Sequence, residues 1–338
     1  MSSHRTQSIY QESGATGIWE LAGNISASSA GDTNGVFGDA MGFSGDGKTI
    51  AIGDKDSDAL GLEDTGVVSV YRETNGTWNQ LGDSLSGTEE RGRFGWSVAL
   101  SKDGKRVAAS SPGSRINQPG RVSVFGFNGA SWEEVGSGLV GESTWESFGV
   151  SVELSGDGSV VAVGATGYSS GNRPNVGIVR SYRCDNDEEG EGEEQRGWSP
   201  YGQPLVGENE SDDFGSSIAL SRDGDTIAIG GPQNDSFCSG CGYAWVFRFR
   251  TTTTTTTTEE GEVSSSSSSS WESVGSSLGT SGIDRGEFGS ALALSANGNR
   301  LVVTAPSSIF NGFLSEVGQV FVFDKIEVDS IPPPPNNE

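Results

Sequence analysis

Histidine is all but missing: the only one is His4, in a polar N-terminal stretch. Ser-His-Asp and Cys-His nucleophile systems and histidine-based zinc sites all need an imidazole, so one count excludes them together. Basic residues are scarce as well. Against 46 Asp and Glu stand 21 Lys and Arg, a formal charge of −25. Such a surface repels phosphate backbones, so nucleic acid is not an expected partner. No apolar run approaches the roughly 20 residues that span a bilayer, and membrane insertion is not expected either. The opening MSSHRTQSIYQESGATG has no apolar core, so the chain as given carries no secretory signal. No stretch of useful length shows helical periodicity. Cysteines number three. Cys238 and Cys241 form C-S-G-C, with no second pair and no nearby histidine, which is weak support for zinc; a local Cys238–Cys241 disulfide and plain thiols stay open, and with them the redox compartment.

What is present repeats. Phe-Gly pairs begin at residues 37, 94, 148, 214 and 288, so the spacings are 57, 54, 66 and 74. The last two are lengthened by an acidic insert at 184–197 and a Thr/Ser tract at 251–270. Both compositions gain little from burial, and both are expected to be disordered. Without them the period is near 55, the size of a propeller or solenoid unit. Each unit offers four short strands. The first type is the Phe-Gly run, with apolar residues at alternate positions, as in Phe94, Trp96, Val98 and Leu100. An Asp-Gly or Asn-Gly turn leads to the second type, as in RVAAS and TIAIG. The third reads G-x-V-x-V-aromatic, the fourth Trp-x-x-x-Gly.

Four antiparallel strands repeated five times predict an all-β, five-bladed β-propeller over residues 18–324, between a flexible tail at 1–17 and a Pro-rich tail at 325–338. The sequence opens with a fourth-type strand at Trp19 and closes with a third-type strand at 318–323, so the N-terminal strand is expected to complete the last blade and close the ring.

Phe-Gly at the head of each unit, the Asp-Gly turn and the Gly-Ala-Pro-like segments (SSPG at 110–113, GAT at 164–166, GGP at 230–232, TAP at 304–306) resemble the FG-GAP repeats of integrin-α-type propellers. The resemblance implies adhesion or carbohydrate binding on an extracellular or cell-surface scaffold. It also implies calcium in a D-x-D-x-D-G-x-x-D loop. Asp54, Asp56 and Asp58 fall at that place, but Ala59 replaces the glycine, Leu62 replaces the last carboxylate, and Asp64 comes late. A solvated acidic loop is the preferred reading.

Two residues break the repeat. Trp145 stands in a loop where other units have no tryptophan; local packing is the preferred reading, and stacking on a sugar or anchoring a protein ligand is the alternative. Glu153 stands on an inner strand where other units carry Gly42, Ala99, Ala219 and Ala293. The expected function is a non-catalytic binding or adhesion propeller for a carbohydrate or protein ligand, through the loops opposite the Asp-Gly turns. The alternatives are a glycoside-active five-bladed enzyme, which needs paired carboxylates, and a pure scaffold.

Overall fold

A computed structural model describes residues 6–12, 18–26, 37–59, 61–113, 118–184, 197–233, 240–257, 263–279, 286–307 and 318–325. They are all β, in six antiparallel sheets. Five are the repeat units. The first holds Ala40–Phe43, Thr49–Asp54, Val67–Thr74 and Thr77–Gln80, in that order from inside out. The second and third repeat this plan, each adding a two-residue strand, as the first does at Leu85–Ser86. The fourth holds Ser217–Leu220, Thr226–Gly231, Tyr243–Thr257 and Val263–Ser273. The fifth has three strands, Leu292–Leu294, Arg300–Ala305 and Gln319–Asp324. Among the described residues no helix is long and apolar enough to cross a membrane.

The repeated motifs are the fittings that let sheets stack. At each turn a serine hydroxyl donates to the Asp or Asn two residues on, as Ser101 Oγ does to Asp103 at 2.8 Å. The same hydroxyl accepts the backbone N–H five residues on, as from Arg106 at 2.9 Å. This Asx-type closure recurs at Ser44, Ser155, Ser221 and Ser295. The turns are then stitched from sheet to sheet by backbone bonds: Gly45 N to Lys102 O, Lys102 N to Gly156 O, Gly156 N to Arg222 O and Arg222 N to Ala296 O, at 2.7–3.0 Å. Phe-Gly works at the other end of the inner strand. The phenylalanine is buried and the glycine takes φ between +87° and +96°. A Cβ on Gly164 or Gly230, at the ends of second strands, would stand 2.1 Å from the carbonyl of Gly215 or Gly289 in the next sheet. Glycine is therefore required on both sides of the contact.

Apolar clusters fill the spaces between sheets. One joins the second and third through Val122, Val124, Val152, Leu154 and Val163. The fourth-strand tryptophans seal the outer rim. Trp132, Trp198 and Trp271 donate to the carbonyls of Leu81, Val135 and Tyr201 in the preceding sheet, at 2.7–2.9 Å.

Two expectations need correction. The strand Trp19–Ser26 does not pair with Gln319–Asp324; it pairs antiparallel with Thr6–Glu12 in a sheet of its own, and the ladder of turns ends at Ala296 with no bond back to Gly45 among the described residues. Thr6–Glu12 reads S-I-Y-Q-E where the third strand of the first sheet reads S-V-Y-R-E, so the expected tail is itself a third-type strand, and a short loop favours it over a partner three hundred residues away. Its Ile9 and Ile25 pack on Phe37, Ile50, Ile52 and Tyr71 of the first sheet. The Thr/Ser tract is not structureless either. Thr251 to Thr257 pair with Ser269 to Val263 as a ribbon continuing the fourth sheet, because β-branched threonines in register need only a nucleus, which that sheet supplies. Most of the acidic insert, 185–196, lies outside the described residues.

Candidate functional site

The four Asp-Gly turns and the Asn297-Gly298 turn converge on one face. Lys102, Gly156, Asp157, Arg222, Asp223 and Ala296 line an open depression of about 450 Å³ there. The depression lies opposite the loops that the sequence favoured. Lys102 and Arg222 occupy the free position of S-x-D-G, and their stems lie over Gly45 and Gly156 of the preceding turns. Asp157 and Asp223 are tied into their own turns by Ser155, Ser159 and Ser221. The rim thus presents two cations whose charges no turn consumes.

Glu153 lies two residues inward from Ser155, on the innermost strand Phe148–Leu154. At the equivalent Gly42 a Cβ would stand 3.2 Å from the Leu100 backbone, so side chains here face the neighbouring inner strand. Glu153 is partly accessible to water, yet protein surrounds it. Removal from solvent pushes its carboxyl up to about 7, and only the Leu154 backbone N–H works against the rise. It is a single, unscreened carboxyl that changes charge near neutrality.

The opposite face carries Trp145, 69 % exposed, in a loop with φ +76°. Beside it the fully buried Glu146 forms an ion pair with the buried Arg180 and accepts the N–H groups of Glu142 and Ser143 at 2.8 and 3.1 Å. Arg180 also reaches Glu142 at 3.2 Å and lies over the rings of Phe148 and Tyr168. Desolvation is the largest single influence and pulls its pKa down, but the hydrogen bond and charge of Glu146, with the charge of Glu142, together hold it above the ordinary value. This pair is absent from the sequence reading. The signal was available: Arg180 interrupts a third strand where the first two sheets have Ser69 and Ser123.

The four aspartates of the first loop are engaged separately. Asp56 lies 3.4 Å from Arg93 and 3.7 Å from Lys55, and Asp58 accepts the Asp64 N–H at 2.9 Å. Asp54 is buried. Burial first, then the charge of Asp56, raises the pKa of Asp64. Among the described residues no three His, Cys, Asp or Glu side chains converge as a metal site. Cys241 is buried and disulfide-bonded, Cys184 is a buried thiol, and Cys238 lies outside the described residues.

No family model matches the chain, and no curated protein matches it. Solved structures do. The periplasmic gluconolactonase PpgL of Pseudomonas aeruginosa matches with TM-score 0.50 at 17 % identity, over 88 % of this chain and 70 % of that one. A protein described as a candidate TolB from Agrobacterium tumefaciens matches with TM-score 0.46 at 15 % identity, over 95 % and 86 %. One described as a candidate 6-phosphogluconolactonase from Bacteroides uniformis matches with TM-score 0.41 at 13 % identity, over 94 % and 92 %. The first match supports a propeller-like fold; the other two are too distant to add to it. The integrin resemblance and the adhesion role it implied are thereby corrected: Phe-Gly and the Gly-Ala-Pro-like segments mark close sheet-on-sheet stacking, a need that propellers outside the integrin type share.

Proposed function

We propose that this protein is a propeller hydrolase acting on a sugar lactone, with the site at the mouth of a channel that its five sheets surround on the Asp-Gly face. The observation that carries the reading is Glu153, a lone carboxyl poised near neutrality on an inner strand, two residues before the Ser155 turn. Glycoside hydrolysis uses two carboxyls about 5–10 Å apart, whereas opening a lactone needs one general base. In the proposed reaction Glu153 takes a proton from water as its oxygen adds to the lactone carbonyl. The ring C–O bond then breaks, and the proton passes to the departing ring oxygen, giving a hydroxy acid. Lys102 and Arg222, on the rim of the same face, attract the anionic product as it leaves. The gluconolactonase that shares the fold acts on a substrate of this class.

Proton release from glucono-1,5-lactone in a pH-stat tests the reading. The parent should exceed spontaneous hydrolysis, with kcat rising as pH passes 7, and Glu153→Gln should lose about 100-fold or more while staying folded. A parent no faster than buffer, or an active Glu153→Gln, sinks it.

A second reading, carbohydrate binding on the loop face, is favoured by the exposed Trp145 alone. Calorimetry with an oligosaccharide panel tests it: heat that disappears in Trp145→Ala supports it, and no heat from any sugar ends it.

A further inference from the structure

The chain holds five Trp-x-x-x-Gly strands, beginning at Trp19, Trp78, Trp132, Trp198 and Trp271. In three of them the indole N–H reaches the carbonyl just before the glycine of the preceding motif. The rule leaves one acceptor waiting, Val274-Gly275 on the fourth sheet. Among the described residues nothing lies within 4 Å of where a Cβ on Gly275 would be. Beside it is a groove of about 190 Å³, lined by Val246, Val274, Leu278, Leu294, Phe323 and other residues of the fourth and fifth sheets. The rule also leaves one tryptophan unseated. Trp19 is 69 % exposed. The edge strand of the fifth sheet shows matching exposure, with Val320 at 66 % and Val322 at 61 %.

A third observation comes from the other side of the same strand. A Cβ on Gly23 would stand 2.8 Å from Trp78 Cδ1, so Trp19–Ser26 already occupies the place of a fourth strand relative to the first sheet. Yet the Trp78 indole nitrogen is buried with no partner, where its counterparts are bonded. The strand therefore sits slightly out of its seat while Thr6–Glu12 holds it.

We infer that the groove and the Gln319–Asp324 edge are a receptor for the chain's own strand Trp19–Ser26, and that Thr6–Glu12 is a placeholder competing with Gln319–Asp324 for it. Both competitors are third-type strands, S-I-Y-Q-E against V-F-V-F-D. Exchange seats Trp19 against Val274-Gly275, covers Val320 and Val322, and joins the fifth sheet to the first. It is independent of the lactone chemistry.

The register of the first sheet, where Arg72 faces Asn79, places Asp324 opposite Glu20 after exchange; in the placeholder state Glu20 faces Gln11. All three are exposed. Directly opposed strand residues lie within disulfide reach. In the full-length chain, mild oxidation of Glu20→Cys/Asp324→Cys should give an intramolecular bond, read by mass spectrometry of peptides. Adding Ile9→Asp, which unseats the placeholder, should raise its yield several-fold and lower that of Gln11→Cys/Glu20→Cys. Trp19→Ala should lower the first yield about tenfold and spare the second. The first pair can be read without Ile9→Asp, should that variant fail to fold. Bonding of 11–20 with none of 20–324 in every folded variant overturns the inference, and so does a 20–324 bond formed only between two chains.

Discussion

Glu146 and Glu153 stand at opposite ends of the same stretch of the third sheet, and protein encloses both. Glu146 has an arginine, two backbone N–H donors and an aromatic surround. Glu153 has one backbone N–H and no nearby charge. The difference separates two uses of a buried carboxyl. With both oxygens hydrogen-bonded it fixes a loop. With a proton it can lose near pH 7 it remains available for chemistry. The larger departure from the repeat pattern is thus the structural one, and the quieter one carries the proposed reaction.

The sharpest break of this comparison is removal of Glu146. Glu146→Ala leaves Arg180 charged and buried with only the exposed Glu142 as a partner, and the expected loss is about 3 kcal/mol of unfolding free energy in urea. Replacing both partners by Glu146→Leu and Arg180→Met should recover most of it, since a packed apolar pair avoids desolvating two charges. If the single variant unfolds like the parent, the pair does not anchor the loop.

Glu153 should behave in the opposite way. Its folded pKa of about 7 lies above the ordinary 4.5, so the folded state holds the proton more tightly. Below about pH 4.5 both states are protonated and the group makes no demand. As pH rises from 4.5 through 7 the folded state must take on an enclosed anion, and stability falls by at most about 3 kcal/mol. Urea titrations at pH 5 and 8 should show this fall in the parent and not in Glu153→Gln. An equal slope in both would mean that water solvates the carboxylate.

A smaller effect is expected from the Thr/Ser ribbon. Thr251–Thr254 are exposed along it, and its side-chain bonds, Thr251 to Ser269 at 2.8 Å and Thr253 to Ser267 at 3.2 Å, are among exposed hydroxyls. Replacing residues 253–267 by Asn-Gly should change the melting temperature by no more than a few degrees, because a solvent-bounded two-stranded ribbon is marginal alone. A large drop would show that the ribbon supports the fourth sheet.

The strands and turns were legible because their causes are local. Ser-x-Asp-Gly closes its own turn, and alternating apolar residues declare their strand without reference to the rest of the chain. The Thr6–Glu12 strand was legible too, in S-I-Y-Q-E, but a polar N-terminal setting concealed it. Closure was not, because Thr6–Glu12 and Gln319–Asp324 fit the same neighbour and composition does not rank them. Glu153 showed through as a break in pattern. Its raised pKa did not, since that depends on how the third and fourth sheets enclose it. Lys102 and Arg222 were hidden by standing at the variable position of a motif, and only the convergence of turns gives them a shared rim.

The smallest expected effect sharpens the comparison at its structural end. Trp145 precedes Glu146 and adopts φ +76°, a conformation that a bulky L-residue enters at a cost of about 1–2 kcal/mol. Its side chain is mostly in water, so burial repays little of that. Glycine enters this region freely, though its unfolded chain has more entropy to lose. The net expectation for Trp145→Gly is a gain of roughly 0.5–1 kcal/mol, with lactone turnover unchanged because the loop lies on the face away from Glu153. Denaturant melts and the pH-stat assay read the two quantities separately. A loss of stability would show that the indole packs on the loop that Glu146 anchors, and a loss of turnover would place the site on the wrong face.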